Sequence, residues 1–171
     1  MMAETVRQDG NGMKITVLAV GRIREKFYSE AVAEYIKRLG RYAKTEILEV
    51  VDEPTPEGAS AKEEEQIREK EGVRILAKIP DGAYVIALAI EGKAMDSVAF
   101  SEKISALGLG GASHICFIIG GSLGLSEAVL KRADEQLSFS KMTFPHQLMR
   151  VILMEQIYRG FRIARGEPYH K

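Results

Sequence analysis

Among the 171 residues there is a single cysteine, there are only three histidines, and the charges cancel. Cys116 has no second thiol to pair with, which excludes an intrachain disulfide framework and a cysteine metal cluster. It lies in the apolar run His114-Ile-Cys-Phe-Ile-Ile119, where a small side chain fills core space rather than reacting. This cysteine usage fits a reducing cytoplasm. His114, His146 and His170 are scattered without ligand spacing, so no metal is expected. No apolar run approaches the roughly 20 residues of a membrane span, which leaves membranes out of the expected partners. With 24 basic and 24 acidic residues, the chain lacks the positive surplus that gives a strong, general grip on naked nucleic acid. It also lacks internal repeats and low-complexity tracts. The first twelve residues hold no apolar signal-peptide stretch and precede a second possible start at Met13. Residues 1–12 read as a disordered lead or vector-derived remnant, and 13–171 as one domain, long enough for a single core.

What is present is an alternation of apolar, β-branched runs with amphipathic segments, the pattern of an α/β protein with a mostly parallel sheet and helices on both faces. The expected order is β-α-β-α-β-α-β-α-β-α. The first strand covers Lys14–Val20, and a helix follows from about Arg24 to Leu39, ended by Gly40. A second strand is expected over Thr45–Val51. After a proline-rich loop, Ser60 and Glu63 have capping-box spacing and open a charged helix to Lys78, whose Glu63-Glu-Glu65 reads as a solvated face without chemistry. The continuously apolar Ala83–Ile90 predicts a strand buried on both faces, left by a turn at Glu91-Gly92-Lys93. A short helix over Ser97–Leu107, a strand over His114–Ile119, a helix from Ser126 to about Glu135, an extended piece over Leu137–Ser140 and a helix over His146–Ala164 complete the chain.

Chemistry concentrates at the end. Residues 138–171 hold two of the three histidines, His146 and His170, and six basic residues against Glu155 and Glu167. A basic, aromatic-bearing edge on an otherwise mildly acidic domain points to a polyanion, with nucleic acid the first candidate. Parallel sheets bind ligands outside the carboxyl ends of their strands, which directs attention to Ala89–Lys93, Gly120–Gly124 and Phe139–Phe144. Gly108-Leu-Gly-Gly111 precedes a strand rather than following one, so it is not a dinucleotide fingerprint. Gly120-Gly-Ser-Leu-Gly124 matches a nucleophile elbow, and Ser122, Asp134 and either His146 or His170 supply the chain order of a serine hydrolase triad. Alternatively these glycines let backbone approach a flat ligand closely.

Beyond any one loop, Phe117-Ile-Ile-Gly-Gly-Ser-Leu-Gly-Leu-Ser126, Leu137-Ser-Phe-Ser-Lys-Met-Thr-Phe-Pro-His146, Leu148-Met-Arg150, Glu155-Gln-Ile-Tyr-Arg159 and Pro168-Tyr-His170 together resemble the SPOUT-class methyltransferases. The resemblance extends over 13–171 and includes Met13–Gly21 and Glu71-Gly-Val-Arg-Ile-Leu76. It implies an α/β domain whose C-terminal part forms a deep trefoil knot around S-adenosylmethionine, an exception to the rule that chains do not thread loops. Carried over by motif, the implied cofactor contacts are Leu88, Gly120 and the loop Phe139, Ser140, Lys141, Met142, Thr143 and Phe144, with Leu125 as further apolar cover. The implied acceptor is N3 of a pseudouridine in 23S ribosomal RNA of the assembled ribosome, and the implied assembly is a homodimer.

That nitrogen must lose a proton before it attacks the methyl group. His170 and His146 are the neutral-pH candidates for the base, with Tyr169 available to stack on or orient the pyrimidine. Arg150, Arg159 and Arg162 are candidates to stabilise the deprotonated imide or to hold phosphate. In the last helix Leu148, Met149, Val151, Ile152, Leu153, Met154, Ile157 and Tyr158 wrap more than one face, which fits a subunit contact beside the sheet contact. A non-enzymatic RNA-binding protein would need the basic tail but not the complete cofactor loops.

Overall fold

The computed structural model describes residues 12–171, so the expected lead at 1–12 falls, apart from Gly12, outside the described residues. Five strands, β1 (Lys14–Val20), β2 (Lys44–Val50), β3 (Tyr84–Ala94), β4 (His114–Ile119) and β5 (Glu135–Ser138), form one parallel sheet in the order β2-β1-β4-β3-β5. Five helices connect and follow them: α1 (Lys26–Leu39), α2 (Ala61–Lys78), α3 (Ser97–Leu109), α4 (Glu127–Arg132) and α5 (His146–Ala164).

The pleat divides the apolar runs between two cores. Ile15, Val17 and Ala19, with Ile115, Phe117 and Ile119 of β4, meet Leu39, Phe100, Ile104, Leu153, Met154 and Ile157 beneath α1, α3 and α5. Leu18 and Val20, with Val50, Val85, Cys116 and Ile118, pack on Ile75 and Val129 beneath α2 and α4. Strands covered on both faces require apolar residues at successive positions, which is why β1 and β4 read as unbroken runs. Cys116 is fully buried and burial pushes its thiol up to about 12, so it is core.

Local signals set most boundaries. Ser60 Oγ accepts from Glu63 N at 3.1 Å and Glu63 Oε1 from Ser60 N at 3.3 Å, the capping box expected for α2. Tertiary bonds shift others. α1 begins two residues later than expected because Arg24 N donates to Gln147 Oε1 of α5 at 3.0 Å. α4 ends at Arg132 rather than near Glu135: Asp134 turns to β3, donating its N–H to Val85 O at 2.8 Å and accepting Val85 N on Oδ2 at 2.8 Å. The turn expected at Glu91-Gly92-Lys93 is instead an excursion inside β3. Leu88 and Lys93 both lie opposite Leu137, so the chain leaves the ladder after Leu88 and rejoins it. Gly92 permits this, since a Cβ there would stand 2.8 Å from the backbone of Gln136 and Leu137.

Candidate active site

The carboxyl ends of β3, β4 and β5 surround a cavity of about 320 Å³. Leu88 and Ile90 come from the β3 excursion, Gly120, Gly121 and Gly124 from the turn after β4, and Phe139, Ser140, Met142, Thr143 and Phe144 from the loop after β5. Leu125 also lines it, whereas Lys141 is exposed and lies outside the lining. Side chains on the wall are largely apolar, while Ser140, Thr143, Glu91, Gln136 and nearby backbone provide a few polar groups. That mixture suits a flat, partly polar small molecule. Glu91 and Gln136 were not singled out from sequence. Gln136 was missed because β5 begins two residues before its apolar signal at Leu137.

Close backbone approach shapes this cavity. A Cβ on Gly120 would stand 2.9 Å from Gly124 C and 3.0 Å from Gly124 O, across a turn closed by Gly124 N donating to Gly121 O at 3.0 Å. The β5–α5 loop is braced internally: Ser138 Oγ donates to Ser140 O at 3.2 Å, and Met142 N donates to Ser140 Oγ at 3.0 Å. Beneath the glycine turn, α2 supplies Glu71, only 4% exposed, whose Oε2 accepts Glu53 N at 2.9 Å. Burial raises its pKa, opposed by that N–H bond and reinforced by Asp52. Glu71 was given no role from sequence beyond its place in the Glu71–Leu76 motif, because its helix reads as a solvated, highly charged segment.

The candidate catalytic residues fall in two places. His146 lines the cavity from the first turn of α5, half-buried, and burial followed by the nearby Arg150 guanidinium lowers its pKa. It is therefore neutral near pH 7. Arg150 is fully buried and does not line the cavity. It donates to Glu49 Oε2 at 2.6 Å and to Gly21 O at 2.7 Å, tying α5 to the ends of β1 and β2.

His170 and Tyr169 lie at the other end of α5. His170 Nδ1 is 3.0 Å from Arg159 Nη1, and Tyr169 OH donates to Glu155 Oε1 at 3.1 Å beneath the Arg159 guanidinium, 4.7 Å from the ring centroid. Burial, then the Glu155 charge, pushes the Tyr169 phenol up to about 12, so it remains a donor. Arg159 pairs with Glu155, while Arg162 donates to Glu167 Oε2 at 2.6 Å and to Pro168 O at 2.8 Å. His146 and Arg159 are separated by thirteen helical steps, roughly 20 Å along the axis. Within this chain the Pro168-Tyr-His170 tail therefore lies at the far end of α5 from the cavity.

The serine hydrolase arrangement does not form. Ser122 is exposed in the turn beyond the carboxyl end of β4, whereas Asp134 is bonded to Val85, whose β4 partner Cys116 lies six residues before Ser122. The acid thus belongs to the opposite part of the sheet from the proposed nucleophile, and no hydrogen bond joins Ser122 to a histidine among the described residues. No group of three or more potential metal ligands occurs among the described residues, and none of their helices is long and apolar enough to cross a membrane.

Comparisons with known proteins match this geometry. The family described as "Predicted SPOUT methyltransferase" matches residues 13–170. A protein of Bifidobacterium adolescentis named ribosomal RNA large subunit methyltransferase H is 64% identical over 159 residues, spanning 93% of this chain and 100% of the relative. Proteins of the same name from Clostridium kluyveri and Listeria welshimeri are 59% and 57% identical over the same shares. Among solved structures, a probable methylase family protein from Haemophilus influenzae superposes with a TM-score of 0.50 at 11% identity, covering 94% of this chain and 68% of that one, a likeness of fold.

Proposed function

From the premise that the chain belongs to the SPOUT methyltransferase family, we propose that it transfers the methyl group of S-adenosylmethionine to N3 of a pseudouridine in 23S ribosomal RNA of the assembled ribosome. The observation that carries this reading is the cavity at the ends of β3, β4 and β5, which draws together Leu88, Gly120 and five residues of the 139–144 loop. The cofactor's adenine would lie against the glycine turn and the 139–144 backbone, with Leu88, Leu125 and Met142 covering its apolar parts. Lys141, outside the lining, would meet substrate or solvent instead.

In the reaction, the N3 proton leaves to a base, the nitrogen attacks the methyl carbon, and the carbon–sulfur bond breaks to release the neutral thioether. Alignment of donor and acceptor supplies much of the acceleration, and the base contributes about 10²–10⁴-fold. His146 is neutral and faces the cavity within the protomer. His170 and Tyr169 reach it only from a second copy, and the distance between the two ends of α5 supports a homodimer in which one subunit's tail completes the other's site. Arg150 would act by fixing the Gly21 loop, and Arg159 and Arg162 by holding the tail and meeting RNA. A C-terminal trefoil knot belongs to this reading, as does action in the cytoplasm.

The deciding experiment measures labelled methyl transfer from S-adenosylmethionine to ribosomes, isolated subunits and free ribosomal RNA. The substrates come from cells lacking this protein and from cells also lacking the relevant pseudouridine synthase. Incorporation into assembled ribosomes that requires the pseudouridine is the expected result. No incorporation into any of these RNAs by folded dimer would overturn the reading.

A further inference from the structure

Beside the cofactor cavity, the ends of β1 and β2 frame a second, larger groove of about 780 Å³ that no step above uses. Its walls are Gly21–Arg24, which leaves β1, and Glu49–Asp52, which leaves β2. The first turn of α5 separates it from the cofactor cavity. Gly21 is set against His146, so that a Cβ there would stand 3.8 Å from Nε2, while Arg24 and Asp52 are near enough to bias the charge of that imidazole in opposite directions.

The groove is chemically two-sided. Arg22 and Arg24 are exposed, and neither guanidinium is held by a carboxylate among the described residues, whereas Arg38, Arg74, Arg150, Arg159 and Arg162 all are. The half-buried Ile23 and Val51, the latter 70% exposed, line the same groove as an apolar surface. Asp52 is exposed at the edge nearest His146. Free guanidiniums suit phosphate, an apolar shelf suits the face of an unstacked base, and a carboxylate suits a base N–H donor. A chain whose charges cancel needs its few phosphate contacts placed beside the chemistry.

Building on the function proposed above, we infer that this groove receives one unpaired nucleotide of the RNA strand that carries the methyl acceptor. Arg22 and Arg24 hold its phosphate, and its base lies on Ile23 and Val51. His146 stands between this nucleotide and the methyl donor. The groove is thus an acceptor-strand subsite, separate in residues from the cofactor site, with Gly21 of the one set against His146 of the other.

The test uses the full-length double variant Arg22→Ala/Arg24→Ala, with Arg22→Lys/Arg24→Lys as the charge-preserving control. Four quantities are read: S-adenosylmethionine affinity, the KM and kcat of methyl transfer to large ribosomal subunits, and the salt dependence of subunit binding. Expected results are unchanged cofactor affinity, a KM raised roughly tenfold, and a log–log salt slope shallower by about two, with the lysine variant restoring the slope. An alanine variant with wild-type KM and salt slope would overturn the groove while leaving the methyltransferase reading intact. Wild-type protein that transfers no methyl group, yet binds subunits with a slope the alanine variant loses, would sustain the groove and sink the methyltransferase reading. Photo-crosslinks from thiouridine-labelled ribosomal RNA are expected in the peptides containing 22–24 and 50–52; crosslinks only to ribosomal protein would also overturn the proposal.

Discussion

The first and last turns of α5 use similar residues, a histidine near an arginine, in different environments. At the first turn Arg150 is buried and engages Glu49 and the Gly21 carbonyl, while His146 is held neutral at a cavity wall. Toward the other end Arg159 and Arg162 keep 23% and 17% of their side chains exposed, and their carboxylate pairs clamp a tail whose final histidine is exposed. Full burial makes Arg150 a structural tie, while Arg159 and Arg162 keep partial contact with solvent. Residue type alone assigns the same role to all three. Their placement divides α5 between a cavity end and a tail end, which the function proposed above joins across two copies.

The sharpest way to break that division is to disable each end separately. His170→Ala is expected to lower kcat by about 10²–10⁴-fold with S-adenosylmethionine affinity unchanged. Mixing it with a Gly120→Ala variant, itself poor in cofactor binding, should recover transfer, because a mixed dimer keeps one intact tail opposite one intact cavity. Stopped-flow or filter assays on refolded mixtures read this directly. Absence of recovery in verified mixed dimers would place tail and cavity in the same subunit.

Removing the buried arginine should act on stability rather than on chemistry. Arg150→Ala leaves the Gly21 carbonyl without its donor and Glu49 without its partner. A loss of about 2–3 kcal/mol is expected, the usual magnitude for hydrogen bonds to a charged group. Arg159→Ala, at a pair near the surface, should cost less than about 1 kcal/mol. Urea unfolding of the two variants compares the ends, and equal losses would remove the contrast. Gly120→Ala comes next in size: its new methyl meets the Gly124 backbone at 2.9 Å, so the turn must shift. Cofactor affinity measured by calorimetry should fall roughly tenfold, about 1.4 kcal/mol.

How far sequence could foresee this molecule depended on whether the cause was local. β1, β4 and α5 run over the residues their patterns predict, because continuous apolarity marks a strand buried on both faces and a proline precedes the last helix. The Ser60–Glu63 cap likewise lies within four residues. The three loops that border the cavity were legible from the carboxyl-end rule. The excursion at 89–92 was not, since it depends on β5 pairing with both Leu88 and Lys93. Arg150 was picked out as a functional cation, but its burial depends on Glu49 and Gly21, over a hundred residues earlier. Glu71 was legible only as the first residue of the Glu71–Leu76 motif, since in a helix full of exposed acids nothing local marks its burial beneath the cavity's glycine turn.

The smallest predicted effect tests whether burial really governs the first turn of α5. His146 has a folded pKa below its ordinary 6.5, mainly from burial and then from Arg150. Above about pH 6.5 the imidazole is neutral in both folded and unfolded chains, and it costs nothing. As pH falls below that value the unfolded chain takes up the proton before the folded one does, so stability is lost, and the loss levels off once pH passes the depressed folded value. His114 is shifted in the same direction by its own burial, so the wild-type curve alone does not isolate His146. The informative quantity is the difference in Tm between wild type and His146→Gln, followed from roughly pH 7.5 to 5. The glutamine variant should show the shallower acid-side decline, because it keeps every other titrating group, His114 and Glu71 included, and loses only the His146 contribution. Parallel curves would mean that His146 titrates normally in the folded protein, and the neutral imidazole at the cavity wall would lose its physical basis.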